Sequence, residues 1–442
     1  MSRAGVDLAI EYLPTDTLIP CDSNARTHSA KQVQQIADSI SVFGFNNPVL
    51  IDHHGRIIAG HGRVQAAKVL ALSTVPTIRL GDLTEQQRRA YIIADNRLAE
   101  KAGWDPQILA IEFQHLSKLD IDFALEITGF ETAEIDFMVE SAATSTSDDC
   151  ADAIPPVEPR SVSRDGDLWQ LGAHRLLCGD ARHKQVCSTL MGSERARLMF
   201  ADPPYNVRID GHAVGLGSTK HREFAMASGE LPHGQFVEFL KSTFLNAVGF
   251  SMDGAIHYIC IDWRHLNEMP EAGAAVYSEL KNLCVWNKNN AGMGSFYRSK
   301  HELIFVWKVG KGSHINNIEL GCSGRYRTNV WDYSGVNTFR RDRTKELSMH
   351  PTVKPVALVI DAIRDCSRRG DIVFDPFSGS GTTVIAAQKS GRIARAIEID
   401  RLYVDVAIRR WQDLTGGKAI HVTSGRAFAE VADRRSSQEN GQ

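Results

Sequence analysis

The fold is decided by Asp371-Ile-Val-Phe-Asp375-Pro-Phe377-Ser378-Gly379-Ser380-Gly381-Thr382-Thr383. An apolar run ends on a carboxylate, a glycine-rich turn follows, and hydroxyl residues open a helical stretch. The order is strand, turn, helix. Glycines let the backbone approach a ligand closely, and free N–H groups at a helix N-terminus favour an anionic group. A P-loop needs Lys after its last glycine, and Thr382 stands there instead. The turn is not the diphosphate-binding G-x-G-x-x-G either. A second strand, Ile393 to Ile399, carries Glu398 about 20 residues after the turn, the spacing at which an acid reaches a ribose hydroxyl pair. A ligand with both an amino-acid carboxylate and a ribose suits this arrangement, and S-adenosyl-L-methionine has both.

Outward from this segment, apolar runs alternate with helical periodicity. Arg197–Phe200, Ala255–Ile261, Leu283–Trp286, Leu303–Trp307 and Ile372–Phe374 read as strands. Phe236–Phe250, Val356–Ser367, Thr382–Lys389 and Arg401–Leu414 read as helices. This alternation predicts an open, mainly parallel α/β sheet, whose ligands sit at the carboxyl ends of the strands.

A second motif occupies such an end: Leu198-Met-Phe-Ala-Asp202-Pro203-Pro204-Tyr205-Asn206. An exocyclic amino nitrogen of adenine or cytosine is a poor nucleophile, because its lone pair is delocalised into the ring. A carboxylate accepting one N–H and a backbone carbonyl accepting the other favour the pyramidal nitrogen. Asp202 can supply the first and the carbonyl of Pro203 the second, with Pro203 and Pro204 fixing its direction. Tyr205 offers a face for stacking a base flipped out of the duplex. No metal is needed, and His212, His221 and His233 have no persuasive ligand spacing.

The 442 residues carry a net charge of −3, with 43% hydrophobic and 23% charged residues, as in ordinary multi-domain globular chains. The charge is divided unevenly. Residues 1–150 hold 12 Lys and Arg against 21 Asp and Glu, whereas 298–345 holds ten basic residues against four acidic ones. Such a basic segment is what phosphate contacts require. Eight cysteines are present without a C-x-x-C pair, which speaks against a zinc site of that spacing or a disulfide framework. No apolar run is long enough to span a membrane and no signal core is visible, so a cytoplasmic location is expected. Ser141–Asp149, then Pro155, Pro156 and Pro159, read as part of a linker over 141–164.

Together these motifs resemble the beta group of DNA amino-methyltransferases, the adenine-N6 and cytosine-N4 enzymes. In that group the D-P-P-Y element precedes the F-x-G-x-G turn, as Asp202–Tyr205 precedes Phe377–Gly381. Gly179-Asp180 matches an upstream element, and Lys354-Pro355 matches the K-P element before the cofactor helix. The resemblance spans about 165–415 and implies a Rossmann-like sheet, with the methyltransferase domain over 165–420 and a polar tail over 421–442. It implies S-adenosyl-L-methionine held by Asp180, Lys354, Asp375, Phe377, Ser378, Gly379, Ser380, Gly381, Thr382 and Glu398. It implies double-stranded DNA as partner, read by a target-recognition region over about 309–349, where Arg325, Arg327, Arg340, Arg341 and Arg343 are the expected phosphate contacts. The loop 206–233 is expected to order over DNA or cofactor. Aspartate at position 202 tilts the target towards adenine N6. Cytosine N4 is the alternative, and a ParB-like module with an inactive methyltransferase half is another. Homodimers are common in the group.

In the first 140 residues, Asn47–Asp52 followed by Ile57-Ile-Ala-Gly60-His61-Gly62-Arg63 resembles the ParB/sulfiredoxin-like α+β fold. The resemblance implies a nucleotide or phosphate ligand, and the physics agrees: Gly60, His61 and Arg63 at a helix start make a candidate anion site. His61 stands where sulfiredoxins have a reactive cysteine, so peroxiredoxin repair is not expected. Ala94-Asp-Asn96-Arg97 with Gly103-Trp104 resembles the version fused to methyltransferases, often in phage or mobile elements, which implies a bacterial or phage-encoded, nucleoid-associated protein.

Overall fold

Short β-branched runs build a first, small sheet. Its strands are β1 (Ile10–Pro14), β2 (Val49–Ile51), β3 (Ile57–Ala59) and β4 (Thr74–Arg79), in the order β1-β4-β2-β3. β2 and β4 run parallel, and the other pairs antiparallel. Val49, Ile51, Ile57 and Val75 are buried against Val64 and Ala67 of α2 (His61–Val69). α1 (Ala30–Phe43) is capped by Ser29, and α3 (Glu85–Glu100) by a reciprocal Thr84–Gln87 box. α4 (Pro106–Leu116) and α5 (Thr132–Ala142) bury a separate cluster of Phe113, Leu125 and Ile135. The sequence reading does not find β1: Ile10 and Tyr12 of this edge strand are exposed, so it lacks alternating burial.

The described residues are 8–117, 119, 121–142, 150–206, 229–289, 296–318, 325–334 and 353–440 of a computed structural model. The chain divides into two units at Thr144/Ser145.

The second unit is built on a sheet of 11 strands. They are β5 (Leu168–Leu171), β6 (His174–Cys178), β7 (Ala196–Ala201), β8 (Ser251–Ile261), β9 (Glu279–Asn287), β10 (His301–Lys308), β11 (Val330–Asp332), β12 (Ile372–Asp375), β13 (Ile393–Glu398), β14 (Ile420–His421) and β15 (Arg426–Ala427). Their order is β11-β9-β10-β8-β7-β12-β13-β6-β5-β14-β15. The central run β8-β7-β12-β13-β6 is parallel throughout. β10 is inserted antiparallel between β8 and β9. The expected α/β class and Rossmann-like sheet are therefore present.

Helices cover both faces, as the crossovers of a parallel sheet require. One apolar layer packs α9 (Val356–Asp365), α10 (Thr382–Ser390) and α11 (Arg401–Thr415) on the sheet. The other packs α6 (Lys184–Met191), α7 (His233–Gly249) and α8 (Glu268–Ala274).

The expected linker and tail both differ in part. Residues 143–149 lie outside the described ones. Further on, the backbone N–H groups of Val162 and Ser163 donate to Asp405, and Arg410 donates to the carbonyl of Ala151 at 2.7 Å. These contacts tie the proline-rich stretch to α11. The residues read as a polar tail form β15 and α12 (Phe428–Asn440). Phe428 and Val431 are buried, the Phe428 ring lies 5.3 Å from that of Trp169, and Arg435 pairs with Asp167 at 2.5 Å. Only two apolar side chains, three apart, anchor this helix, too few to stand out from a charged sequence.

Candidate active site

β7 and β12 are parallel neighbours, with Leu198 opposite Val373 and Met199 opposite Phe374. The Asp202 turn and the glycine turn therefore leave the sheet side by side, at its carboxyl edge. The topology brings together two motifs that stand more than 170 positions apart in the chain.

Asp202 sits at the head of a dense polar cluster. The Tyr205 hydroxyl donates to Asp202 Oδ1 at 2.5 Å, and Lys354 Nζ donates to Oδ2 at 2.6 Å. Lys354 also donates to the Tyr205 oxygen at 2.9 Å and lies 3.0 Å from Glu302 Oε2. Glu302 accepts a further hydrogen bond from Lys288 on its other oxygen. Trp286 lines the same corner, its ring centroid 4.6 Å from Lys288 Nζ and 5.8 Å from Lys354 Nζ. Two acids and two ammonium groups alternate from the interior to the surface, with Lys354 and Glu302 buried and Asp202 and Lys288 partly exposed.

Burial works against every charge here, and pairing decides what survives. Burial pushes the Asp202 carboxyl above the usual range, against the pull of Lys354, and the Glu302 charge adds to the push. Burial also opposes the Glu302 charge, but Lys354 and Lys288 hold this group at about 2. Lys354 stays well above the ordinary lysine value despite burial, because Asp202 and Glu302 face it. Burial and the same two carboxylates push Tyr205 far up, so its hydroxyl remains a donor.

On the glycine turn, Gly379 and Gly381 have φ of +51° and +83°. A Cβ on Gly381 would meet the Ala407 Cβ at 2.7 Å, so close packing of turn on α11 requires glycine there. Glu398 ends β13 and accepts the N–H of Gly379 on one oxygen and of Asp400 on the other, each at 2.7 Å. Asp375 ends β12 and accepts the Phe377 N–H at 2.9 Å. Burial raises both acids to about 7. Phe377 leans on Phe239, and Arg410 braces the turn from beneath through the Ser380 carbonyl and the Ser380 and Thr382 hydroxyls. The Ser378 hydroxyl is buried with no hydrogen-bond partner among the described residues. An unmet hydroxyl in a glycine turn, flanked by two strand-end carboxylates, suits a ligand with an amino-acid head and a ribose.

Not every expected residue joins this group. Asp180 follows Gly179, whose N–H donates to the Glu398 carbonyl at 2.9 Å, but the Asp180 carboxylate is paired with Arg182 at 2.6 Å. Lys354 contacts the Asp202 cluster, where the sequence reading places it with the cofactor. Arg325 and Arg327 require correction. Their side chains are only 10% and 14% exposed and pair with Asp361 and Asp365 of α9, at 2.7 Å for Arg325–Asp365 and 2.8 Å for Arg327–Asp365. Among the described residues, both guanidinium groups are engaged with carboxylates inside the domain. Arg340, Arg341, Arg343 and loop residues 207–228 lie outside the described residues. Asn206 closes the base of that loop: at φ +55° it donates to the Leu231 carbonyl and accepts the Gly229 and Leu231 N–H groups.

Sequence reasoning misses Glu302, Lys288, Trp286, Arg410 and Asn206 as site residues. The signal on offer was a charged Glu302 directly before the apolar run Leu303–Trp307, where an unpaired carboxylate would be unfavourable if buried.

In the first unit, Gly60 is left-handed at φ +101° and caps α2. His61 Nε2 accepts the Cys21 N–H at 3.2 Å, and burial, with His28 nearby, lowers its pKa. Arg63 folds back to the Pro48 carbonyl at 3.2 Å, leaving its buried Nε without a partner among the described residues.

Comparison with known proteins agrees with this geometry. Residues 196–409 match the family described as DNA methylase, 3–96 match the ParB N-terminal domain and 107–165 the ParB-methyltransferase HTH domain. The ParB-like nuclease domain-containing protein YnaK of Escherichia coli (strain K12) is 54% identical over 82 residues, which are 19% of this chain and 94% of that protein. The type II methyltransferase M.HinfI of Haemophilus influenzae is 27% identical over 250 residues, 50% of this chain, which spans 64% of that enzyme. The type II methyltransferase M2.MboI of Moraxella bovis is 28% identical over 233 residues, 49% of this chain and 81% of that enzyme. The chain thus carries, over residues 196–409, a domain that matches the S-adenosylmethionine-dependent DNA methylases of the N6/N4 family, joined to a ParB N-terminal domain over residues 3–96.

Proposed function

We propose that the chain methylates the N6 amino group of adenine in duplex DNA, with Asp202, Pro203, Pro204 and Tyr205 as the catalytic element. The observation that carries this reading is the Asp202 carboxylate, held at the end of β7 beside the glycine turn of β12 by Tyr205 and Lys354. S-adenosylmethionine supplies an electrophilic methyl group when bound. Ser378, Gly379, Ser380, Gly381 and Thr382 would hold its amino-acid end, and Glu398 its ribose, with Asp375 and Phe377 lining the turn. Each carboxylate oxygen has two acceptor positions, and Lys354 and Tyr205 use one on each oxygen. Asp202 therefore keeps acceptor capacity for an amino N–H. The Pro203 carbonyl would accept the second N–H, which favours a lone pair out of conjugation, and the Asp202 carboxylate, partly open to solvent, would be placed to pass on the proton that the nitrogen sheds. Positioning and fixed charges supply the acceleration. An aspartate in the leading position supports adenine over cytosine.

The experiment is transfer of labelled methyl groups to duplex DNA by wild type and Asp202→Ala. Loss of transfer with cofactor binding retained is expected. Residual transfer near the wild-type rate would remove Asp202 from the chemistry. For the N-terminal unit we propose a phosphate-bearing nucleotide at Gly60, His61 and Arg63, supported by the unpaired Arg63 Nε. Calorimetry with nucleoside triphosphates should show binding that Arg63→Ala abolishes. Equal binding by the variant refutes it.

A further inference from the structure

The Asp202 carboxylate is surrounded by charge from every element packed on it. Tyr205 comes from its own turn, Lys354 from the segment before α9, Glu302 from β10 and Lys288 from the end of β9. Cys260 of β8 and Asp375 of β12 lie close enough to feel it. Among these groups Lys354 is the one cation in contact with Asp202. Its side chain is 3% exposed and that of Asp202 26%, so water reaches the pair from the carboxylate side only and screens it in part. Lys354 is itself fixed from the far side by Glu302, which Lys288 balances at the solvent edge with 27% of its side chain exposed.

We propose that Lys354 and Glu302 are positioning residues for methyl transfer: Lys354, clamped by Glu302, keeps the Asp202 carboxylate charged and turned to accept the target amino N–H. This inference rests on the proposed chemistry at Asp202. A protonated acid offers fewer acceptor positions for an N–H, and a half-buried carboxyl beside a second carboxylate protonates more readily than a free one. A buried ammonium shared between the two acids, 2.6 Å from Asp202 and 3.0 Å from Glu302, opposes that. The arrangement makes opposite predictions for its two members. Without Lys354, Asp202 and Glu302 are neighbouring like charges, and the carboxyl of Asp202 gains a proton more easily. Without the Glu302 charge, Lys354 serves Asp202 alone, and Asp202 holds its charge to lower pH.

The test is the pH dependence of kcat in four variants with cofactor affinity measured alongside. Lys354→Met should lower turnover at neutral pH about 100-fold and move the acid limb up by about one pH unit or more, while cofactor binding persists. Lys354→Arg should keep the wild-type limb. Glu302→Gln should move the limb to lower pH, and adding it to Lys354→Met should recover about tenfold at neutral pH. An unmoved limb in Lys354→Met, or a double variant no better than the single, overturns the proposal. Should Lys354→Met not fold, Glu302→Gln carries the test, and an unmoved or raised limb overturns it. A readout without turnover separates this inference from the proposed function: the protonated-carboxyl infrared band, assigned with Asp202→Asn, should appear at higher pH in Lys354→Met than in wild type. A band that titrates identically in both refutes the pairing, whatever the substrate.

Discussion

Glu398→Gln tests how the cofactor turn works. In the wild type, Glu398 accepts two backbone N–H groups, from Gly379 and Asp400. Glutamine keeps one acceptor oxygen and presents an NH2 donor to the other N–H, leaving one of these bonds unmade. It also removes the charge that a ribose hydroxyl pair would meet. Charge-assisted hydrogen bonds are worth about 1.5–3 kcal/mol, so a loss near 2 kcal/mol, about 30-fold in cofactor Kd, is expected. The pH dependence sharpens the test. Burial raises Glu398 and Asp375 to about 7. Between the ordinary carboxylate values and about 7 the folded protein binds more protons than the unfolded chain, so these two acids make stability fall as pH rises through that window. Cofactor binding to ionised Glu398 runs the other way: Kd should improve as pH rises to about 7 and then level off. Calorimetric titration of S-adenosylmethionine between about pH 5.5 and 8.5 should show a slope near tenfold per pH unit below the midpoint, reduced by one proton in Glu398→Gln. Equal affinity of the two proteins at pH 8, or a flat wild-type profile, refutes the role given to Glu398.

Two further outcomes follow from contacts already described. Gly381→Ala places a Cβ 2.7 Å from that of Ala407 at a φ of +83°, and should cost about 2–3 kcal/mol in chemical denaturation and weaken cofactor binding. Arg327→Ala leaves Asp365 buried without one of its two cations, and should destabilise the domain by about 3–5 kcal/mol while leaving the salt dependence of DNA affinity unchanged. A shallower salt slope in a normally stable variant would return Arg327 to the DNA surface.

What could be read from the sequence was what is local. The turns at Asp202 and Gly379–Gly381 combine strand ends with residues of fixed or free backbone geometry, so their form and their place on a parallel sheet were legible. The K-P element was legible as well, but not the partners of its lysine, because Asp202 and Glu302 are 152 and 52 positions away. Glu302 stands just ahead of the run read as a strand, Leu303–Trp307, and periodicity carries no information on what a side chain meets across the sheet. Charge counting misplaced Arg325 and Arg327 for the same reason. A segment rich in arginine looks phosphate-binding until Asp361 and Asp365, more than 30 positions on, fold against it. Of the cofactor side, the spacing of Glu398 after the glycine turn was the informative signal, and its carboxylate does reach back to Gly379.

Methyl transfer to adenine N6 leaves a product that can be identified directly. Duplex DNA of mixed sequence is treated with the protein and isotopically labelled S-adenosylmethionine, digested to nucleosides and resolved by mass spectrometry. Label is expected in N6-methyl-2′-deoxyadenosine, and absent with Asp202→Ala. Label in N4-methylcytosine, or none in any nucleoside, would contradict it.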